Sequence, residues 1–364
     1  MMANTADPTV AFSVCIPNFN HGRYIGATIR SVLDQTYPFY EIVVVDNAST
    51  DNSVAVVESV QSESGIADCI RLYRNSSNVG FAPNLDRAAS QARHPFIIVL
   101  SSDDLMRPTA LEEYARVIRA LAEDAYHALI VSSIDYIDGA GRVLKTLTRE
   151  HFLPLDPESA STQRVGDPQV AVFDGHAVFR YVFPRNSVPG AFCTTAYSRA
   201  LYDRVGGYSS LHAVGPDADF ANKVLLRGAK VAFIDRRLFQ YRIHGENQIS
   251  QDKRLRSLRV PIDWYLFTVQ YRDDDLARAG VERSSAARAL VDQACLKMGL
   301  LELKDGANGQ AFRLLSFAFA ASPGATLRNP KLYLLAFLLL GGPLGSAVAR
   351  GLWRLREWWL GPTR

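Results

Sequence analysis

The chain has 364 residues, 48% apolar, 21% charged and 10% aromatic. These proportions exclude a disordered, collagenous or coiled-coil chain, and the length allows about two domains. The net charge of +3 is too small for a protein that binds nucleic acid by neutralising phosphates. Charge is unevenly placed: residues 328–364 carry six basic side chains against Glu357 alone, so this tail is strongly positive on a near-neutral body.

In chain order, the first apolar run, Val10–Ile16, ends at Pro17 and reads as a buried strand. The loop Asn18–Gly22 follows, then apolar residues at helical spacing over 23–35. A second strand, Glu41–Asp46, runs into Asn47–Asp51, which has loop and capping chemistry, and a helix is expected over about 52–62. A third strand at Ile70–Arg74, the loop Asn75–Gly80 and a helix over 82–93 come next. A fourth strand, Phe96–Leu100, leads into Ser101-Ser102-Asp103-Asp104 and a helix over 108–122. This β-α alternation with near-continuous apolar strands predicts a mostly parallel sheet with helices on both faces. A strand is expected near 128–133, then a mixed stretch to 190, helices at 199–205 and 217–228, and a strand at 230–234. Residues 254–305 read as helical. Four cysteines, at 15, 69, 193 and 295, are too widely spaced for a cysteine zinc site and read as reduced thiols. The first residues lack a basic segment followed by a long apolar run, so a cytoplasmic body is expected.

In an open parallel sheet, ligands bind beyond the carboxyl ends of the strands. Strands one, two and four end there in Pro17-Asn18, Asp46-Asn47 and Asp103-Asp104. A lone aspartate after a strand is commonly a helix cap. Two adjacent carboxylates repel unless a cation sits with them, and Mg²⁺ characteristically takes one or two carboxylates plus substrate phosphates.

The motifs V-C-I-P-N-F-N at 14–20, Q-T-Y-P-F-Y-E-I-V-V-V-D-N-A-S-T-D at 35–51, N-V-G at 78–80 and L-S-S-D-D at 100–104 resemble family 2 glycosyltransferases of the GT-A fold. V-G-G-Y at 205–208, G-P-D-A-D-F at 215–220 and Y-R-I-H at 241–244 resemble that family's acceptor-side landmarks. The resemblance implies a Rossmann-like α/β domain over 1–250, with a nucleotide-sugar half over 10–125 and an acceptor half over 126–250. A helical, membrane-associating region over 251–364 would follow.

It also implies roles. Pro17, Asn18 and Asn78 would line the nucleotide, Asp46 would bind the base and Asp103 the ribose. Asp104 would hold a divalent cation, Mg²⁺ or Mn²⁺, with His244 as a further ligand or diphosphate contact. Asp217 would be the general base, with Asp219 as its rival. Their opposite placement suits an inverting displacement, which needs a base at the acceptor oxygen and charge neutralisation at the leaving group. The implied donor is a nucleoside-diphosphate sugar, a UDP-sugar favoured, and the acceptor a glycan or lipid-linked glycan of surface polysaccharide assembly.

The chain departs from the family's common pattern at Ser101, Pro83 and Pro216, where relatives often carry Asp, Arg and Glu. A non-catalytic scaffold or sugar-binding partner of the same fold therefore stands as the alternative. A sugar-phosphate nucleotidyltransferase or a dehydrogenase is disfavoured, since no Gly-rich phosphate loop follows the first strand.

Residues 332–349 contain no charged side chain, but Gly341-Gly342-Pro343 interrupts them as a helix breaker or hairpin. With Arg354 to Trp359 beyond, the expectation is an in-plane or re-entrant attachment to the cytoplasmic face of the inner membrane.

Overall fold

The structure, a computed structural model, describes residues 10–63, 67–157, 165–209, 211–212, 215–245 and 258–360, with the backbone only at 67 and 355–360. The chain divides into two compact units, one of residues 1–182 and 187–244, the other of 183–186 and 245–364.

The first unit is built on a ten-stranded sheet. Its strands are β1 (Phe12–Asn18), β2 (Tyr40–Asp46), β3 (Ile70–Arg74), β4 (Phe96–Val99), β5 (Leu105–Met106), β6 (Ala128–Ile137), β7 (Val143–Leu147), β8 (Val170–Phe173), β9 (Ala196–Ser198) and β10 (Lys230–Arg242). The order is β3-β2-β1-β4-β9-β6-β10-β5, with β7 beside β6 and β8 beside β10. Strands β1 to β4 are mutually parallel, as the alternation predicts. β1 is buried along its whole length, with no polar face, because helices cover both sides.

The expectation of a mostly parallel sheet needs correction. β9 runs antiparallel to both β4 and β6, and β5, β7 and β8 also pair antiparallel. The sheet is mixed, because β5, β7, β8 and β9 have two to five residues each, too few to show a period in the sequence.

Helices α1 (Gly22–Leu33), α2 (Ser53–Gln61), α3 (Phe81–Ser90) and α4 (Ala110–Leu121) follow β1, β2, β3 and β5. Tyr24, Ile25, Ile29 and Val32 of α1 bury one helical stripe in the core. Gly22 opens α1 against the second loop: a Cβ there would lie 2.0 Å from Asn52 Oδ1 and 2.9 Å from the Ser53 nitrogen. The Gly22 N–H donates to Asp51 Oδ2 at 2.8 Å, so the loops after β1 and β2 are tied together.

The second unit is helical. Within the stretch expected to be helical over 254–305, residues 254–257 lie outside the described residues. The rest divides into Arg259–Gln270, Asp273–Arg278 and one continuous helical run, Arg283–Lys304, with a π-helical segment at Leu290–Lys297. Asn308–Ala321, Pro323–Leu327, Pro330–Leu340 and Gly342–Leu360 complete it. Leu332, Leu335 and Leu338 pack with Leu290, Val291 and Leu296. Gly342 takes φ +53° at the break between the last two helices, and a Cβ on Gly345 would lie 1.8 Å from the Leu338 oxygen, so that close approach demands glycine. Among the described residues, no helix is long and apolar enough to cross a membrane. The side chains of Arg356, Trp358 and Trp359 lie outside the described residues.

Candidate active site

β1 and β2 pair in register to their last residues, so Asn18 stands opposite Asp46 at the carboxyl edge of the sheet. Asn18 Nδ2 donates to Asp46 Oδ1 at 2.8 Å and to Ser49 Oγ at 3.2 Å. Asp46 also accepts from the Ser49 backbone N–H at 2.9 Å and from Ser49 Oγ at 2.6 Å. The carboxylate thus braces the loop after β2 and is almost fully buried. Pro17 is buried one residue inside the strand, its ring occupying the place of a backbone donor.

A chain of asparagines extends from this pair. Asn47 Nδ2 donates to Asn78 Oδ1 at 2.9 Å, and Asn47 Oδ1 accepts from Asn75 Nδ2 at 2.8 Å and from the Val79 N–H at 3.0 Å. Asn75 Nδ2 also donates to Asn84 Oδ1 at 2.9 Å, and Asn84 Nδ2 donates to the Val45 carbonyl at 3.2 Å. Asn78 is exposed, and its Oδ1 also accepts from the Gly80 N–H at 2.9 Å. Asn47, Asn75 and Asn84 were not singled out from the sequence as site residues. Asparagines following two neighbouring strand ends were the available signal.

The second group follows β4. β5 pairs antiparallel with β10 through Leu105↔Gln240, so the chain beyond Gln240 returns past Asp104 and Asp103. The Arg242 N–H donates to Asp104 Oδ1 at 2.9 Å, and Arg242 Nε donates to the Asp103 carbonyl at 3.0 Å. His244 Nε2 lies 3.0 Å from Asp103 Oδ2. The His244 ring stacks at a tilt on Tyr24, 4.5 Å between centroids, and His21 stands 5.9 Å from it. His21 Nδ1 in turn meets Ser102 Oγ at 2.8 Å. The structure therefore joins Asp103, Asp104 and His244 in one cluster. It sets the histidine on Asp103.

Asp104 is fully buried, and its Oδ2 lacks a well-formed hydrogen bond, with the Cys193 thiol and Ser101 beside it. Burial first, and then the charge of Asp103, push its carboxyl well above the usual aspartate range. Burial and the Asp104 charge likewise push the Cys193 thiol up. Among the described residues, no three His, Cys, Asp or Glu side chains converge on a metal position. The donor set nevertheless suits one kind of ion. Two adjacent carboxylates with an orphaned oxygen match a divalent cation held by one or two protein groups and completed by phosphate oxygens. They do not make an all-protein cage.

The third group lies on the helix Pro216–Leu226. Asp219 is fully buried and salt-bridged to Lys223 at 2.5 Å, with His212 Nε2 at 3.5 Å. Asp217, one residue into the helix, is half-buried, and burial raises its carboxyl above the usual range against the pull of backbone N–H groups. Its charge acts on Tyr208, whose hydroxyl is pushed up by burial and then by the Asp217 charge. Tyr208 Oη pairs with Tyr197 Oη at 2.9 Å, and the Tyr208 ring lies 6.5 Å from Phe192. Phe192 adjoins Cys193, the neighbour of Asp104. Packed side chains therefore run from the paired carboxylates through Cys193 and Phe192 to Tyr208, which feels the Asp217 charge.

The loops at the parallel strand ends and the paired aspartates of this geometry sit within a recognisable segment, and Asp217, Arg242 and His244 lie beyond it. The family model described as Glycosyl transferase family 2 matches residues 13–183. Those residues are a family 2 glycosyltransferase domain. The chain is 28% identical over 239 residues to an uncharacterized glycosyltransferase, alr2836, of Nostoc sp., covering 65% of each protein. It is 29% identical over 133 residues to the poly(ribitol-phosphate) beta-N-acetylglucosaminyltransferase TarS of Staphylococcus aureus, covering 36% of this chain and 22% of TarS. Each of these matches thus spans less than two thirds of the relative's own length. The crystal structure of S. aureus TarS 1-349 in complex with UDP-GlcNAc superposes with a TM-score of 0.60 and 18% identity, covering 94% of this chain and 89% of that one. That likeness establishes a shared fold.

Proposed function

We propose that the chain is a glycosyltransferase that moves a sugar from a nucleoside-diphosphate sugar, a UDP-sugar favoured, to a hydroxyl of a glycan or lipid-linked glycan, with inversion. The observation that carries this reading is the meeting of two polar pairs, Asn18–Asp46 and Asp103–Asp104, at the carboxyl ends of β1, β2 and β4 in a family 2 domain. TarS, which shares the fold, is solved with UDP-GlcNAc, in keeping with a UDP-sugar donor.

In this reading the loops braced by Asp46 and Asn47 receive the nucleotide, Asp103 contacts its ribose, and Asp104 would hold a divalent cation. When bound, that cation would neutralise charge on the departing diphosphate. Asp217 takes the proton from the acceptor hydroxyl. It suits that role better than Asp219, whose charge is already committed to Lys223. His244 orients Asp103 through their hydrogen bond.

Calorimetric titration with UDP, GDP and TDP, each with and without Mn²⁺, tests the reading, followed by a turnover assay on UDP-sugars. Cation-dependent binding of one nucleotide together with turnover supports it. Cation-dependent binding without any turnover on a panel of donors supports a sugar-binding scaffold instead. No nucleotide binding at all overturns the donor site.

A further inference from the structure

The helical unit presents an apolar surface that its own core leaves uncovered. On Pro330–Leu340 the residues Leu332, Leu335 and Leu338 are buried, and Tyr333, Phe337 and Leu340 lie on the outward side. On Gly342–Leu360, Leu344, Val348 and Leu352 recur at intervals of four, one helical stripe, and are likewise exposed. Phe337 is 72% exposed, Leu340 90% and Leu344 77%, so these side chains project outward and do not line a cleft. A soluble surface rarely gathers so many large apolar groups without an occupant.

Charge decides which occupant. From Arg328 to Arg356 the chain has no acidic residue and five basic ones. Lys331 is paired with Asp292 at 2.6 Å, while Arg328, Arg350 and Arg354 are exposed, the last two set two residues from Val348 and Leu352 and so on the polar side of the helix, away from the stripe. A second copy docking through this face about a two-fold axis would set these cations against themselves. An anionic lipid surface meets both features, the apolar stripe entering the acyl boundary and the arginines lying at the headgroups. Neither helix is both long and apolar enough for a span. The eleven residues of Pro330–Leu340 reach about 16 Å, roughly half of a ~30 Å bilayer core. The nineteen of Gly342–Leu360 are interrupted by exposed arginines at 350 and 354.

We infer that the apolar residues Tyr333, Phe337, Leu340, Leu344, Val348 and Leu352, with Arg328, Arg350 and Arg354 exposed on the same stretch of chain, dock this segment in plane on a membrane bearing anionic lipid. These residues belong to the helical unit and none of them is a residue of the transferase site, and the test does not use activity.

The test is flotation of the full chain with vesicles of phosphatidylcholine alone or mixed with phosphatidylglycerol, at low and high salt, alongside light scattering without lipid. Two double variants accompany it, Leu340→Asp with Leu344→Asp, and Arg350→Glu with Arg354→Glu. All four positions are exposed, so unchanged thermal melting is expected. The wild-type chain should float with the mixed vesicles at low salt and lose most binding at high salt. Each double variant should bind at least about tenfold more weakly. Absence of flotation on the mixed vesicles, equal flotation on both vesicle types, or flotation unchanged in the variants overturns the inference. A dimer that the leucine variant dissolves also overturns it, in favour of a second copy as occupant.

Discussion

The backbone N–H of Arg242 is hydrogen-bonded to Asp104 Oδ1 at 2.9 Å, across 138 residues of sequence. One contact joins the end of the nucleotide half to the last strand of the sheet. It exists because β5, only two residues long, pairs antiparallel with β10 and so steers Tyr241–His244 back over the paired aspartates. The other oxygen of the same carboxylate is buried without a well-formed hydrogen bond, which costs stability in the absence of a ligand.

Asp104→Asn should therefore stabilise the ligand-free protein and disable it. The amide keeps an acceptor for the Arg242 N–H and removes a buried charge. The expected gain is roughly 1–3 kcal/mol, a rise in melting temperature of about 2–10 °C. Adding Mn²⁺ with UDP should raise the melting temperature of the wild-type chain and leave the variant unmoved. Paired thermal scans measure both effects. A variant that melts lower, or still responds to Mn²⁺ with UDP, removes Asp104 from the cation-holding role.

Asn47 sits at the centre of the asparagine chain, with its Oδ1 shared by Asn75 Nδ2 and the Val79 N–H. Asn47→Ala leaves the Val79 N–H without this acceptor and Asn75 Nδ2 with Asn84 Oδ1 alone. A loss of roughly 1–3 kcal/mol in chemical denaturation is expected. The loop Asn75–Gly80 should loosen as well, so nucleotide affinity should fall even at temperatures where the variant is fully folded. Equal affinity for nucleotide in the folded variant would confine Asn47 to a structural role.

How much of this was legible in the sequence follows from element length. β1, β2 and β4 announce themselves because each buries a run of apolar residues, β3 follows from its place in the alternation, and the observed ends of these strands and their helices lie within about three residues of the expected ones. β5, β7, β8 and β9 are too short for any period, and β10 runs eight residues beyond the expected 230–234. That extension carries Arg242 and places His244 on Asp103, which local spacing does not encode. The aspartates at strand ends were readable because topology fixes where strand ends meet. The asparagine network was harder, since a buried amide in a loop and a turn residue look alike in sequence. The Asp219–Lys223 pair was within reach, because i, i+4 charges on a helix are neighbours.

Gly207 shows how tightly the acceptor-side wall is built. It adopts φ +66°, and a Cβ there would lie 2.4 Å from Asp86 Oδ1 and 2.9 Å from Tyr202 Oη. Asp86 accepts from Tyr202 Oη at 2.6 Å and from the Tyr208 N–H at 2.8 Å, so the added methyl would break the joint that sets Tyr208. Gly207→Ala should cost about 1–3 kcal/mol from backbone strain alone. Because Tyr208 is electrostatically coupled to Asp217, kcat should fall further than nucleotide affinity. A variant with full kcat would detach the tyrosine cluster from the reaction.

Asp217 and Asp219 are two residues apart and should fail in different ways. Asp219 is fully buried against Lys223 and His212, so Asp219→Asn removes one partner of an ion pair. Lys223 is partly exposed, which limits the penalty to about 1–3 kcal/mol, below that of a fully buried pair. Asp217→Asn should leave folding and UDP binding intact and lower kcat by about 10²–10⁴. The pH profile supplies the sign. A base works ionised, and burial holds the Asp217 carboxyl above the ordinary aspartate range. Wild-type kcat should therefore fall as the pH drops through a value above that range, with the base increasingly protonated. The Asp217→Asn variant should lose this acid limb, whereas Asp219→Asn should keep it in whatever fraction remains folded. If the limb survives in Asp217→Asn and disappears in Asp219→Asn, the base is Asp219, and the lysine pair is a means of holding it ionised.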